Sequence, residues 1–156
     1  MKNLLKMTAI AALTFTSISA FAASQQAEEV KKFQAWEETA SKKLEASFDA
    51  VGAASATSNA TETEAAVAAF DKQAAENVAE LEALGIKTEE VSPLVSMYKE
   101  YVDAEKEVVQ LILSQVKSPS LDNAGKVPEA VAKANQKDDA IDKLADQLEE
   151  KFPSEE

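Results

Sequence analysis

The sequence predicts an all-α fold, an antiparallel up-down-up-down four-helix bundle, and three observations lead to this prediction. Apolar residues recur at helical spacing in four long segments, which marks one buried face on each of them. Alanine, glutamate, lysine and leucine are abundant, whereas the 156 residues include only three glycines and four prolines, a composition that favours helix. Glycine, proline and small polar residues separate the four segments, so each helix has recognisable ends.

The first helix is expected from about Gln25 to Val51, and Gly52 is expected to end it. Its apolar positions fall within about 120° of one helix face. They are Val30, Phe33, Trp36, Ala40, Leu44, Phe48 and Val51. The stretch that follows, GAASATSNAT, is small and polar, which predicts a mobile connecting loop.

The second helix is expected to begin near Glu62 and to stop at Gly85. Thr61 and Glu64 have the spacing of a capping box, in which each side chain satisfies a free backbone N–H at the helix start. Glycine is the residue most often found in the left-handed conformation that follows a helix C-terminus.

Proline is expected to open each of the last two helices, because the first turn of a helix does not need the missing N–H. The dipeptide Ser92-Pro93 starts the third helix, which runs to about Lys117 and closes at Ser118-Pro119. Pro128 starts the fourth helix, which ends at Pro153. The connection SLDNAGKV between them is rich in turn-forming residues, and it is expected to be a loop, with one short helical turn as the alternative.

Four helices joined by short loops pair most simply in antiparallel order. This layout resembles the small periplasmic b-type cytochromes, which are signal-bearing four-helix bundles with a short turn-rich connection before the last helix, here LDNAGKV. The resemblance implies the bundle and not the activity, because the sequence has no histidine to ligate haem.

The first 22 residues have the pattern of a cleaved signal peptide. Lys2 and Lys6 form a positive region, residues 7–18 are uncharged and mostly apolar, and Ala20 and Ala22 provide a small-x-small cleavage site. The apolar run is too short and too interrupted for a transmembrane anchor. The expected product is one soluble domain, residues 23–156, in the periplasm or secreted.

Composition excludes several classes of chemistry. The sequence contains no His and no Cys, which disfavours haem, zinc and catalytic triads that use either residue. It contains no Arg, and the formal charge of −12 becomes −14 when the signal peptide is removed, because that peptide carries two lysines and no acid. Such a charge repels nucleic acid and anionic lipid, and no later segment is apolar enough for membrane insertion.

Three acidic residues fall inside the apolar stripes of their helices, namely Glu37, Glu105 and Asp138. If the helices pair antiparallel, these residues share a level of the bundle with Asn77 and Tyr101, which predicts a mid-bundle polar band. Carboxylates clustered in this way would either bind a cation, with Ca²⁺ or Mn²⁺ the suitable metals, or raise one another's pKa values. The simpler interpretation is that they reach water at the edges of their stripes.

A second candidate site consists of Trp36, Asn77, Tyr98 and Tyr101, whose rings and polar tips suit a cleft for an apolar guest or a partner. Aromatic residues at helical spacing more often belong to the hydrophobic core than to a ligand cleft. The favoured function is a non-enzymatic binding protein of an accessory, stress-related or inhibitor type, whose partner is a basic protein or a small apolar ligand. Cation binding through Glu37, Glu105 and Asp138, without another cofactor, is the alternative, and an enzyme that uses only carboxylates is third.

Overall fold

The computed structural model describes residues 2–153, with side chains described from residue 23 onward. Four helices make up this part of the chain, which contains no strand: α1 (Lys2–Ala56), α2 (Ala60–Ala83), α3 (Ser92–Lys117) and α4 (Leu121–Lys151). The fold is therefore all-helical, as predicted. The predicted signal peptide, residues 1–22, lies outside the described side chains.

The apolar stripes meet in a continuous core. Large side chains from every helix are fully buried there, among them Phe33, Phe70, Leu94, Tyr98 and Ile141. Helix α1 packs mainly on α2, α3 packs mainly on α4, and α2 also packs on α3, whereas α1 meets α3 and α4 over shorter stretches. Among the described residues no helix has a stretch apolar enough to cross a bilayer.

Two predicted boundaries of the first connection are wrong. Gly52 does not end α1, which continues to Ala56 and leaves a loop of residues 57–59; one glycine costs only about 1 kcal/mol inside a helix. The predicted cap at Thr61 is replaced by Asn59, whose side-chain Oδ1 accepts hydrogen bonds from the backbone N–H of Thr61 and Glu62. Thr61 therefore lies in the first turn of α2.

The stop at Gly85 is confirmed. Helix α2 ends at Ala83, and Gly85 takes a φ of +68°, a left-handed conformation that glycine adopts without steric cost. The loop of residues 84–91 that follows is held by Glu29 of α1, whose carboxylate accepts hydrogen bonds from the backbone N–H groups of Lys87 and Thr88 at 3.1 and 3.0 Å. Burial opposes ionisation of Glu29, but a hydrogen bond donated by the Thr88 hydroxyl, together with these backbone bonds, holds the pKa of Glu29 below its ordinary value.

The prolines behave differently at the two later helices. Pro93 lies in the first turn of α3, as predicted, although Ser92 does not cap it with its side chain. Pro128 does not start α4: the helix begins at Leu121, and Pro128 lies inside it. Ser120 provides the cap that makes the earlier start favourable, since its hydroxyl accepts a hydrogen bond from the N–H of Asn123 at 3.1 Å.

Candidate functional site

An acidic cleft of about 550 Å³ lies between α1 and α4, with α3 beneath it. We call it the acidic cleft throughout. Its lining consists of Gln34, Glu37, Glu38, Ser41, Glu45, Tyr101, Asp138 and Asp142.

Helical periodicity places these side chains together. Residues 34, 38, 41 and 45 follow one another at intervals of three or four along one face of α1, Glu37 lies three residues after Gln34 on the same side, and Asp138 and Asp142 are one turn apart on α4. Tyr101 reaches the cleft from α3. Core residues border the same faces, with Phe33, Ala40 and Leu44 next to the α1 row and Ala134, Ile141 and Ala145 next to the α4 row, so folding of the core brings the two rows together.

Glu37 is the most perturbed carboxylate of the cleft. Its side chain is half-buried, and burial together with the charges of Asp142 and Asp138 raises the pKa of Glu37 from 4.5 to about 7. A carboxyl group with this pKa is partly protonated near neutral pH. The acids of α4 thus influence an acid of α1 that is about one hundred positions away in the sequence.

Asp138 and Glu105 are affected in the same direction. Partial burial of the Asp138 carboxyl, followed by the charges of Asp142 and Asp139, raises its pKa even though the residue is exposed overall. Burial and the charge of Asp138 raise the pKa of Glu105 on α3, and its interaction with the Tyr101 hydroxyl partly offsets this rise. Glu105 is half-buried, and its carboxyl interacts electrostatically with Asp138 of the cleft.

Lysine does not neutralise most of this charge. Within residues 23–153 no lysine forms an ion pair with Glu37, Glu45, Asp138 or Asp142, whereas Glu38 pairs with Lys42 at 2.8 Å. No group of three or more acidic side chains in the described part of the chain is arranged to hold a metal ion. Cation binding by Glu37, Glu105 and Asp138 stays a prediction.

The residues predicted to form an aromatic site make a row behind the cleft. The ring centroids of Trp36 and Tyr98 are 4.7 Å apart in an edge-on arrangement, and those of Tyr98 and Tyr101 are 5.8 Å apart. The Trp36 indole Nε1 is buried without a hydrogen-bond partner among the described residues. Of this row only Tyr101 lines the acidic cleft.

Asn77 lies on the α2 side of the aromatic row and is fully buried. Its Nδ2 donates to the backbone carbonyl of Ala40 at 2.9 Å and to the Tyr98 hydroxyl at 3.2 Å, while Gln73 donates to its Oδ1. All of these partners belong to the protein, and such a satisfied buried network stabilises one packing of α1, α2 and α3. Burial raises the pKa of Tyr98 to about 12, so this hydroxyl stays protonated.

The structure thus brings Glu37, Tyr101 and Asp138 into one cleft, places Glu105 next to it, and separates Trp36, Asn77 and Tyr98 from it. Sequence reasoning missed the other members of the lining: Gln34, Glu38, Ser41, Glu45 and Asp142. A usable signal existed, because Asp142 lies one turn after Asp138 and Glu45 lies two turns after Glu38.

Comparison with known proteins gives one match. Residues 27–153 match the profile of a family described as uncharacterised lipoprotein PM1805, and this match includes all eight residues that line the acidic cleft. No curated protein and no solved structure has significant similarity to the chain.

Proposed function

The chain belongs to the family described as uncharacterised lipoprotein PM1805, and from this premise we propose that it is an envelope protein that binds a basic segment of a partner protein in the acidic cleft. The lipoprotein family indicates an exported protein associated with the cell envelope. Because the 156 residues contain no cysteine, none of them offers a thiol for lipid attachment. We place the proposed activity in the periplasm.

The observation that carries this proposal is the uncompensated charge of the acidic cleft. Four of its carboxylates have no lysine partner within the described residues, namely Glu37, Glu45, Asp138 and Asp142. Like charges held this close destabilise the free protein. A partner that brings ammonium or guanidinium groups would remove this repulsion, so part of its binding energy would come from the cleft itself.

The lining favours a cationic partner over an apolar ligand. All eight side chains of the acidic cleft carry a polar group, and the tyrosine ring at its base can contact the aliphatic stem or the charge of a bound lysine. A small apolar guest would have to desolvate these carboxylates without pairing them, which is unfavourable.

We propose that this binding is not coupled to catalysis. The sequence has no His and no Cys, so the most frequent acid–base and nucleophilic groups are missing. The half-buried Glu37 has the pKa of a general base, but we assign its perturbation to the electrostatics of the cleft.

We also infer that the bundle has the up-down-up-down topology, with α1 and α4 as neighbours. Ion pairs between successive helices run in opposite chain directions, as expected for antiparallel partners. They join Lys99 to Glu82 and Lys117 to Glu64 between α3 and α2, and Lys137 to Glu100 and Lys133 to Glu107 between α4 and α3. The loops of residues 57–59 and 118–120 are too short for other crossings.

The test uses an octalysine peptide as the probe and the fluorescence of Trp36 as the signal, because this single tryptophan lies just behind the acidic cleft. The double variant Glu45→Gln with Asp142→Asn removes two cleft charges. We expect about tenfold weaker binding for this variant at low ionic strength, since each lost charge contact contributes about 0.7 kcal/mol. Binding should also weaken as salt rises to physiological concentration.

The matched control is Glu76→Gln with Glu89→Gln, which changes the net charge equally but lies outside the acidic cleft. It should bind octalysine almost as tightly as the unchanged protein. An equal loss in both double variants would show that only net charge matters, and the proposal would then be wrong. An affinity for octalysine that does not change with salt concentration would also contradict the proposal.

Divalent-cation binding is the second candidate, and one observation favours it. The carboxylates of Glu37, Asp138 and Asp142 are close enough to raise the pKa of Glu37, and a cation would hold all of them ionised. Calorimetric titration with Ca²⁺ and Mn²⁺ tests this candidate. The Glu105→Gln variant should then bind either metal less tightly, and absence of heat from both metals would reject the candidate.

A further inference from the structure

The interfaces between neighbouring helices differ in whether lysine–glutamate ion pairs bridge them. Helices α1 and α2 are bridged by Lys43 and Glu80, with 3.1 Å between nitrogen and oxygen. The α2–α3 and α3–α4 interfaces each carry two lysine–glutamate pairs of the same kind. Within residues 23–153 the α1–α4 interface has no such pair, and its side-chain bridge is the hydrogen bond from Gln34 Nε2 to Glu149 Oε2, at 2.9 Å.

Acidic groups occupy the α1–α4 interface instead, which we call the α1–α4 seam. The titratable groups in and next to the seam are mostly acidic. Asp138 and Asp142 of α4 act on Glu37, Asp139 acts on Asp138, and Asp138 acts on Glu105 of α3. The set also includes Glu45 on α1 and the hydroxyls of Tyr98 and Tyr101 on α3, whereas Glu38 on α1 is paired with Lys42 and Glu80 on α2 with Lys43.

This arrangement makes the α1–α4 seam the weakest side of the bundle when its acids are ionised. Helices α1 and α4 contact each other over a shorter stretch than α1 with α2 or α3 with α4. The acidic cleft interrupts that contact with an open space of about 550 Å³. Repulsion between ionised carboxylates therefore acts on an interface that has little apolar packing to oppose it.

We propose that the α1–α4 seam is a pH-sensitive interface, closed when its carboxyl groups are protonated and loosened when they ionise, while the other helix interfaces stay packed. Protonation of Glu37 removes its repulsion with Asp138 and Asp142 across the seam. At the α1–α2, α2–α3 and α3–α4 interfaces lysine faces glutamate, so the charges there attract and do not push the helices apart.

The pKa values indicate the pH range over which the α1–α4 seam would loosen. Burial and the two aspartates raise the pKa of Glu37 to about 7, compared with 4.5 for the free side chain. A raised carboxyl pKa means that the closed state binds protons more tightly, so its contribution to stability is complete below pH 4.5 and is lost as pH rises through about 7. The raised pKa values of Asp138 and Glu105 act in the same direction.

This inference is independent of the partner proposed above, because it concerns the free protein. Loosening of the α1–α4 seam would widen the acidic cleft as pH rises through about 7, where its negative charge increases. A negative result in the pH experiment would reject the seam proposal without rejecting octalysine binding. A negative result in the octalysine titration would reject the binding proposal without rejecting the seam proposal.

The sequence contains no cysteine, so pairs of spin labels can be attached at introduced cysteines without other changes. Ala46→Cys with Asn135→Cys labels exposed positions of α1 and α4, and Ala46→Cys with Ala75→Cys labels α1 and α2 as the control. Electron–electron double resonance should show the α1–α4 distance increasing or broadening by about 2 Å or more between pH 5 and pH 8. The α1–α2 distance should not change.

Two results would overturn the inference. An α1–α4 distance that is the same at pH 5 and pH 8 shows that the seam does not respond to protons. An equal change in the α1–α2 pair shows general loosening of the bundle. Adding Glu37→Gln to the α1–α4 pair should reduce the change, and far-UV circular dichroism at both pH values confirms that each labelled protein is folded.

Discussion

At Glu37 a carboxylate is held half-buried, close to two aspartates of α4 and without a lysine partner in the described part of the chain. Its neighbours on the same stripe, Phe33 and Ala40, are fully buried, so the α1 backbone cannot turn the side chain away without losing core contacts. Asn77 is equally confined, but its hydrogen-bonding groups are satisfied inside the protein. The carboxylate of Glu37, when ionised, therefore lacks a compensating positive charge, whereas Asn77 contributes to packing.

We expect Glu37→Gln to stabilise the protein at pH 8 and to have no effect near pH 4. The full rise in the pKa of Glu37 would correspond to about 3 kcal/mol, but the partial exposure of the side chain reduces this, and a gain of about 1 kcal/mol in the free energy of unfolding is expected. Urea unfolding of both proteins at a series of pH values measures the gain, which should develop between pH 4.5 and about 7.

The control for this prediction is Glu89→Gln, an exposed acid in the loop of residues 84–91. It should change the unfolding free energy by less than about 0.5 kcal/mol at either pH. A gain from Glu37→Gln that is equally large at pH 4 would show that shape, and not charge, limits stability at this position.

The helices differ in how directly local sequence sets their ends. Helix α2 stops where glycine can adopt a positive φ, and α3 stops at the predicted Ser118-Pro119. Local sequence sets the starts of α2 and α4 less directly, because several neighbouring residues are able to cap. Asn59 and Ser120 are the caps in the structure, and both lie upstream of the predicted starts near Glu62 and at Pro128.

We expect Asn59→Ala to lower the free energy of unfolding by about 1 kcal/mol, because two backbone N–H groups at the start of α2 lose their acceptor. Thr61→Ala is the matched control, since Thr61 is the cap that the sequence predicts and the structure does not use. It should change stability by less than about 0.5 kcal/mol. A larger effect at Thr61 than at Asn59, measured by thermal or urea unfolding, would support the capping box instead.

At the scale of the whole molecule, charge is unevenly distributed. The formal charge is −12, and lysine–glutamate pairs bridge three helix interfaces while the α1–α4 seam collects unpaired acids. Exposed ion pairs contribute little to stability. Screening them with salt therefore lowers the free energy of unfolding only slightly. Repulsion across the seam and over the whole surface is the larger electrostatic effect.

Added salt is therefore expected to stabilise the protein at pH 8. Raising sodium chloride from low to physiological concentration should raise the melting temperature by about 2–4 °C, the change that about 1 kcal/mol produces in a chain of this size. The rise should be smaller at pH 4.5, where carboxyl groups begin to protonate. A melting temperature that falls with salt at pH 8 would mean that the ion pairs outweigh the repulsion.

The sequence by itself determined that the described part of this protein is all-helical with four helices, and it located the start of α3 and the C-terminal ends of α2, α3 and α4. Apolar periodicity and the conformations of glycine and proline act over a few residues, so they can be read without the fold. It also singled out Glu37, Glu105 and Asp138, because acids inside an apolar stripe are visible on a helical wheel.

Only the tertiary structure decided which of these acids face one another. The raised pKa of Glu37 depends on Asp138 and Asp142, which the chain brings close through the packing of α1 against α4. It also placed Asn77 in the core network and left the α1–α4 interface, like the smaller α1–α3 contact, without lysine–glutamate pairs among the described residues. Such distances and burials result from packing between distant segments, and the local pattern of any one helix does not contain them.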